Sequence, residues 1–477
     1  MKSHSTTPKT HEPQLVRGLT TTSAIGVNII DMVGVGPFIT LPLIITAMGG
    51  PQAMLGWLLG ALLSLADGLI WSELGTAYPE AGGSYIYLKK LYGEHTLGRP
   101  FSFLYAWQLL FSAPLSIASG CIGFAQYITW FVPASSHRYF ETTFLHIPVI
   151  LSGQTLIAMS ACIVALFLLY RPIAFIDRIA KALGLAVLLA LAIIIVVGFT
   201  HFNAPQAFSF PANAFHLDHS FFAGLAAGLL IAVYDYWGYY NICFLGGEVR
   251  NPTRTIPRAV LGSIAIVGTL YLLMNISVLG VIPWHELTAT QTAAARQYTM
   301  AIFMQRAFAA HTWSHTAASG IVLLIALASL ASVFALLLGY SRIPYAAAQD
   351  GNFPRIFGYV HPRHRIPSVS LLTLGAITLF CCLFRLQEVI ASLVVIRILF
   401  QFLLQGVAVL LPSHRRTRRE PGRFRMPLYP LPVLLTLVGF LFILFSRPNF
   451  FAEIHLAAIV LIAGVAVYFL RKRTRIS

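Results

Sequence analysis

The chain has 477 residues, 57% of them hydrophobic and only 10% charged, with a formal net charge of +16 and a mean hydropathy of +0.76. Such a composition is solvated mostly by lipid, so the chain reads as an integral membrane protein with little length left for a separate soluble domain. In a soluble protein the positive charge would point to nucleic acid; here its placement along the chain assigns it to membrane topology, with the lipid bilayer as partner and no nucleic acid.

Residues 1–20 are polar and carry prolines but no short apolar core or cleavage site, so they read as a cytosolic tail. Twelve apolar runs follow, beginning near residues 25, 53, 102, 147, 178, 220, 259, 316, 367, 388, 430 and 451. Each approaches the ~20 residues needed to cross ~30 Å of hydrocarbon. With both ends on one face, twenty-five of the 32 Lys and Arg fall on that face, among them six arginines between Arg415 and Arg425. Five fall on the other face (Arg138, Arg296, Arg306, Arg385, Arg447), and Lys181 and Arg397 lie inside runs. Short cytosolic loops carry excess Lys and Arg, so both termini are expected in the cytosol of a cell-membrane protein. The expected organisation is a core over 21–411, a basic cytosolic loop over 412–429, two further helices over 430–470 and a basic tail over 471–477.

The first run, Ile25 to Met48, is interrupted near its middle by Asp31 and then Gly34-Val35-Gly36-Pro37. A carboxylate at the centre of a span costs ~2.5 to 3.5 kcal/mol on insertion scales, and the glycines and proline free backbone groups that hydrocarbon cannot satisfy. The sixth run, Ala223 to Gly247, is interrupted in turn by Tyr234-Asp235-Tyr236-Trp237-Gly238-Tyr239-Tyr240-Asn241. Matched interruptions five runs apart point to an inverted-repeat transporter with its site at the midplane, repeat one at about 21–200 and repeat two at about 218–411. Five is odd, so the second repeat starts on the opposite face. A helix broken there leaves amides at the start of one half and carbonyls at the end of the other, which suits both poles of a small zwitterion.

Four stretches extend this reading: Gly34 to Phe38, Trp71 to Tyr85, Gly247 to Pro252 with Thr255 to Ala259, and Ser341-Arg342 with Ala346 to Gly351 and Pro354. In their order they resemble the amino acid, polyamine and organocation superfamily of secondary transporters, over essentially the whole chain. The resemblance implies an all-α membrane protein of twelve transmembrane helices, with a 5+5 inverted-repeat (LeuT-like) core, discontinuous helices 1 and 6, and two extra helices. It implies that amides of Val35 and Gly36, beside Gly34, hold a substrate carboxylate. Carbonyls of Ile30 to Val33, with Tyr234, Asp235 and Trp237, would hold the amine and side chain. Tyr234 resembles an aromatic gate; simple packing against neighbouring helices is the alternative.

Pro37 departs from the superfamily's usual pattern, because it fits the first turn of a half-helix but lacks the N–H a carboxylate would use. Meanwhile Asp31, Asp67 and Asp235 lie at membrane depth, where each acid is a functional candidate. Together they favour a cationic substrate, and a similar break with an acid at the place of Asp67 occurs in the polyamine-uptake branch. Contact with an amine, proton coupling and structural ion pairing stay open for Asp31 and Asp235. Lys181 matches a lysine of proton-coupled and sodium-independent relatives, where its ammonium occupies the place of a sodium ion, and Lys181 and Asp67 are the candidates for proton coupling. Lys181 also lies close enough to the cytosolic end of its run to snorkel to the headgroups. Arg397 is expected as a fixed countercharge to Asp67. Glu73 and Glu248 end their runs on the cytosolic side and are expected to pair with Arg250 or Arg342, as an inner gate or a solvated rim. Tyr85 to Lys90 reads as an amphipathic stretch along the inner membrane surface.

The five cysteines lack metal or redox spacing and read as packing residues, and no catalytic cluster or cofactor motif stands out, so neither an enzyme nor a cofactor is expected. His311 and His315, i,i+4 in an outer loop, are the one weak metal pair. A channel would need a continuous polar lining, whereas polar residues here cluster at two breaks. The expected function is a permease working by alternating access, with proton-coupled uptake of a polyamine or basic amino acid. A neutral amino acid permease or exchanger and a non-transporting sensor are the alternatives.

Overall fold

Proline and glycine decide where the first apolar run breaks. It folds as two helices, α1 (Thr21–Met32) and α2 (Gly36–Met48), bent by 47° across the intervening residues. Thr20 and Ser23 form a reciprocal cap at the start of α1, satisfying amides that would otherwise face the membrane boundary. Pro37 stands in the first turn of α2, where its missing N–H removes no intrahelical bond. Gly49, at φ 73°, ends α2 in the left-handed region. The computed structural model describes residues 15–144, 147–288, 298–384, 395, 397–418, 420–447 and 450–474. Most of the expected N-terminal tail, Arg296, Arg385, Arg419, residues 475–477 and the start of the run near 388 lie outside them.

The chain continues through α3 (Met54–Ala77), α4 (Ser84–Leu91), α5 (Gly98–Ile128), a β-hairpin, α6 (Gly153–Leu169) and α7 (Ile173–Thr200). After the short α8 (Ala204–Ala207), the second interrupted run forms α9 (His219–Tyr236) and α10 (Asn241–Phe244). Next come α11 (Pro252–Leu279), α12 (Trp284–Thr288), α13 (Thr299–Ala307), α14 (Ser314–Tyr340), α15 (Arg342–Gln349) and α16 (Ser368–Cys381). A π-helical stretch, Ile398–Leu404, leads into α17 (Gln405–Leu410), α18 (Pro412–Arg418), α19 (Leu431–Phe445) and α20 (Phe450–Thr474). Among the described residues seven helices are long and apolar enough to cross a membrane, eight with the bent α1–α2 pair, and four shorter apolar helices accompany them. The protein is an integral membrane protein.

Two segments differ from the sequence reading. The run expected to span from residue 147 begins instead as strand β2 (Ile147–Ser152), antiparallel to β1 (Arg138–Phe144), and helix starts only at Gly153. Ile147, Val149 and Ile150 are β-branched and suit a pleated strand, and Ser152 with Thr155 caps α6. The stretch expected along the membrane surface, α4, is packed inside: Tyr85 to Leu88 are buried and only Lys89 and Lys90 reach outward. Tyr87 meets Trp71 edge-on at 5.8 Å, which holds α4 against the end of α3.

Helices α1 and α2 lie at the centre, α1 against α7, α11 and α14, and α2 against α9. In a bilayer helices gain little from hydrophobicity when they meet, so small residues that admit close approach decide such contacts. A Cβ on Gly184 of α7 would lie 3.2 Å from the Gly26 Cα of α1, and one on Gly26 would lie 3.1 Å from the Ala180 carbonyl oxygen. Gly184→Leu is therefore expected to cost about 1–3 kcal/mol by overpacking and to lower the melting temperature of the detergent-purified protein. Gly320→Ala, where a Cβ meets nothing within 4 Å, should leave that temperature unchanged.

Candidate functional site

Both breaks face one cavity of about 380 Å³. They also touch each other: Gly238, at φ 123°, brings the second break so close to the first that a Cβ on it would lie 2.7 Å from the Met32 amide nitrogen. Glycine is required there both for its backbone angle and for the approach. Asp31, Gly34, Val35, Gly36, Tyr234, Asp235, Trp237 and Arg397, all expected from the sequence, line this cavity. Asp67, Glu73, Lys181 and Glu248 do not.

The backbone groups freed by the breaks have specific partners. Asn28 Nδ2 donates to the Tyr239 carbonyl at 2.6 Å, and its Oδ1 accepts from the Ile242 amide at 3.0 Å. The Tyr271 hydroxyl reaches the carbonyls of Met32 at 2.9 Å and Asp235 at 3.3 Å, one from each half-helix end. One carbonyl expected to hold an amine thus already has a protein donor. Asn241 Nδ2 donates both to Asp31 Oδ2 and to the Ala335 carbonyl, each at 2.8 Å, tying α1, the second break and α14 together. The sequence reading passed over Asn28, Tyr271 and this role of Asn241. A polar side chain one turn before Asp31 in an apolar helix was the available signal for Asn28.

Asp235 is 3% exposed. Its Oδ2 accepts from Thr40 Oγ1 at 2.5 Å, while Oδ1 is buried with no hydrogen-bond partner among the described residues. Oδ1 lies over the start of α2, only 2.2 Å from where a Cβ on Gly36 would stand. Asp235, a residue of the cavity wall, therefore keeps one unsatisfied carboxylate oxygen, enclosed beside the positive end of a half-helix.

Arg397 corrects one expectation. Its guanidinium donates to Ser116 Oγ at 2.7 Å and lies over the rings of Trp237 (5.2 Å) and Tyr340 (5.4 Å), with no pairing to Asp67. Asp67 is instead held by the Tyr239 hydroxyl at 2.7 Å. Aromatic faces stabilise a desolvated guanidinium without neutralising it, so Arg397 remains a positive charge in the cavity wall. Trp237, which carries it, is itself stacked on Phe402 at 5.1 Å. The other cation here, Arg447, is paired with Glu453.

The remaining charged residues lie away from the cavity. Glu248 and Arg342 form a two-pronged pair at 2.7 and 3.0 Å with both side chains buried, so they are an interior lock and not a solvated rim. Glu73 pairs with neither Arg250 nor Arg342: the segment from α18 onward folds back beneath α3, and Glu73 accepts from His414 Nε2 (2.7 Å), Arg418 Nε (3.3 Å) and the Met426 amide (2.5 Å). Lys181 turns back one helical turn to Asp177 at 2.7 Å, and its side chain is 40% exposed, away from the break in the first run. His311 meets Trp313 edge-on and His315 stacks on Trp130, so the two have separate partners and do not converge.

A sequence profile of the amino acid permease family matches residues 18–467. The serine/threonine exchanger SteT of Bacillus subtilis is 26% identical over 466 residues, 94% of each chain. The branched-chain amino acid permease BcaP of Lactococcus lactis is 23% identical over 453 residues, 91% of each chain. Human cationic amino acid transporter 4 is 26% identical over 380 residues, 78% of this chain and 56% of its own length.

The glycines of the first break separate the site from the fold. Gly36→Ala drives a methyl into Asp235 Oδ1, whereas Gly34→Ala meets only Ser332, at 3.2 Å. Displacing a binding carboxylate by an ångström is expected to weaken binding of a labelled amino acid about 10- to 100-fold in Gly36→Ala. Gly34→Ala should change it far less and melt close to the parent, whereas Gly36→Ala, which must shift a buried carboxylate, should also melt lower.

Proposed function

We propose that this chain, which belongs to the amino acid permease family and is a membrane transporter of amino acids rather than an enzyme, moves basic amino acids by alternating access. The observation that carries the substrate class is the free Oδ1 of Asp235 in a wall that also holds Asp31 and Arg397. With both acids ionised, these side chains offer two negative charges and one positive. A basic amino acid carries the inverse set: two cationic groups and one carboxylate. Inside a low-dielectric site such matching decides preference, because an unmatched charge costs its desolvation. A polyamine has no carboxylate to meet Arg397, so the same geometry disfavours it. Pro37 fits this assignment: the amides of Val35 and Gly36 remain for the carboxylate, and Arg397 supplies what the missing donor does not. A neutral amino acid is the second reading, favoured by Asn241 already occupying Asp31 Oδ2.

The eight span-like segments and four shorter apolar helices support a twelve-span reading, with the α1–α2 and α9–α10 breaks as counterparts in a 5+5 inverted repeat. The cavity reaches Leu43 on the far half of α2 and Arg447 beyond α19. On the side where α1 begins, Asp67–Tyr239 and then Glu248–Arg342 lie across the route. We propose that both termini are cytosolic, in which case these closures support an outward-facing form whose inner lock must open during transport.

Counterflow in proteoliposomes tests the substrate class. Lysine and arginine should exchange better than leucine, serine or putrescine, and Arg397→Leu should raise putrescine relative to lysine by tenfold or more. Rapid leucine counterflow with none for lysine would sink the basic-substrate reading, and binding of any of them without counterflow would make the protein a sensor.

Proton coupling is proposed at Asp67, 1% exposed and held by a hydroxyl of the second break. Protonation there changes how tightly Tyr239, and with it the break, is held. Asp67→Asn is expected to keep exchange but lose the stimulation of net uptake by an inward proton gradient; stimulation equal to the parent's would remove Asp67 from the coupling step.

A further inference from the structure

A second cavity, of about 340 Å³, lies apart from the central one, between the turn Gly93–Leu97 that joins α4 to α5 and the final helix α20. Its lining is divided. His95, Thr96 and Arg99 give one polar side, while Leu104, Val465 and Phe469 give an apolar one. The acid at its edge, Glu94, is already engaged by Lys90 at 2.6 Å and Lys89 at 3.9 Å. Arg99 forms no ion pair among the described residues, and its side chain is exposed.

The division follows depth in the membrane. Along α5 the chain turns apolar just after Arg99 and Pro100, and along α20 it stays apolar until Arg471. Arginines at those two points mark the headgroup level, so the polar side lies at headgroup depth and the apolar side within the hydrocarbon. The helices that form the cavity are also joined directly, by Trp107 Nε1 donating to the Val460 carbonyl at 2.9 Å and by Tyr468 packing on Phe103 at 5.3 Å. Arg471 next to them is bonded to the carbonyls of Gly351 and Asn352 and so stays out of the cavity.

We infer that this cavity is a binding site for one anionic phospholipid, with the headgroup phosphate on Arg99 and His95 and an acyl chain along Leu104, Val465 and Phe469. A soluble anion would use only the polar side, and a zwitterionic lipid would set its own cation against Arg99. The bound lipid would bridge α5 and α20, linking the added C-terminal helix to the core.

Native mass spectrometry of the full-length protein in mild detergent tests this, with phosphatidylglycerol, phosphatidylcholine of the same chains, and inorganic phosphate as probes. A phosphatidylglycerol adduct stronger than the phosphatidylcholine one is expected. Arg99→Gln should weaken it about fivefold, the worth of one basic contact with an anionic headgroup. Phe469→Ser should weaken both lipid adducts, which share the acyl chain, whereas Arg99→Gln should leave phosphatidylcholine binding unchanged. Equal binding of the two lipids, an unchanged adduct in Arg99→Gln, or displacement by millimolar phosphate would each overturn the assignment. Both side chains are exposed, so the variants should fold, and their melting temperatures without added lipid check that they do.

Discussion

Everything at the centre of this protein depends on a constraint of the bilayer: no backbone amide or carbonyl can remain unbonded in hydrocarbon, yet two helices are broken there. The breaks persist because several of the freed groups find partners inside the bundle: the carbonyls of Met32, Asp235 and Tyr239 and the amide of Ile242. Tyr271 bonds to a carbonyl of each break, and Asn28 ties α1 to two backbone groups of the second. The two interruptions are therefore one bonded unit, and a movement of α1 must carry the second break with it. That coupling is what alternating access requires of a site built between half-helices.

The same low dielectric makes charge the selective variable. Glu248 and Arg342 neutralise each other, and the remaining guanidinium nitrogen of Arg342 is held by the Leu338 carbonyl and Ser341 Oγ. Asp31 is partly satisfied by Asn241. Asp235 and Arg397 are held by a single hydroxyl each, Thr40 and Ser116, which positions them without neutralising them. Residues that neutralise each other stabilise a conformation, whereas Asp235 and Arg397 have no opposite charge paired with them among the described residues. Gly36 matters for this reason, since its lack of a side chain lets Asp235 reach the mouth of α2.

Much of the site was legible in the sequence because insertion cost is a local property. An acid, glycines and a proline within an apolar run are anomalous whatever surrounds them, and those anomalies coincide with the cavity lining. Partner choice was not legible. Asn28 and Tyr239 are 211 residues apart, and Glu73 finds His414 across 341. Composition cannot rank such partners, so Arg397 was expected on Asp67 when its neighbours are Ser116 and two aromatic rings. Lys181 shows the converse: a partner one turn away on its own helix was close at hand, and Asp177 holds it outside the cavity.

The sequence by itself determined the solvent, the spacing of the apolar segments and the two points where helix must fail, since each follows from the cost of placing particular groups in hydrocarbon. The tertiary structure decided which charges cancel and which line the cavity, that the run from 147 begins as a strand before α6, and that α4 is buried. Those outcomes depend on which distant surfaces meet, and in this bundle that was decided by close approach at small residues such as Gly26, Gly184 and Gly238.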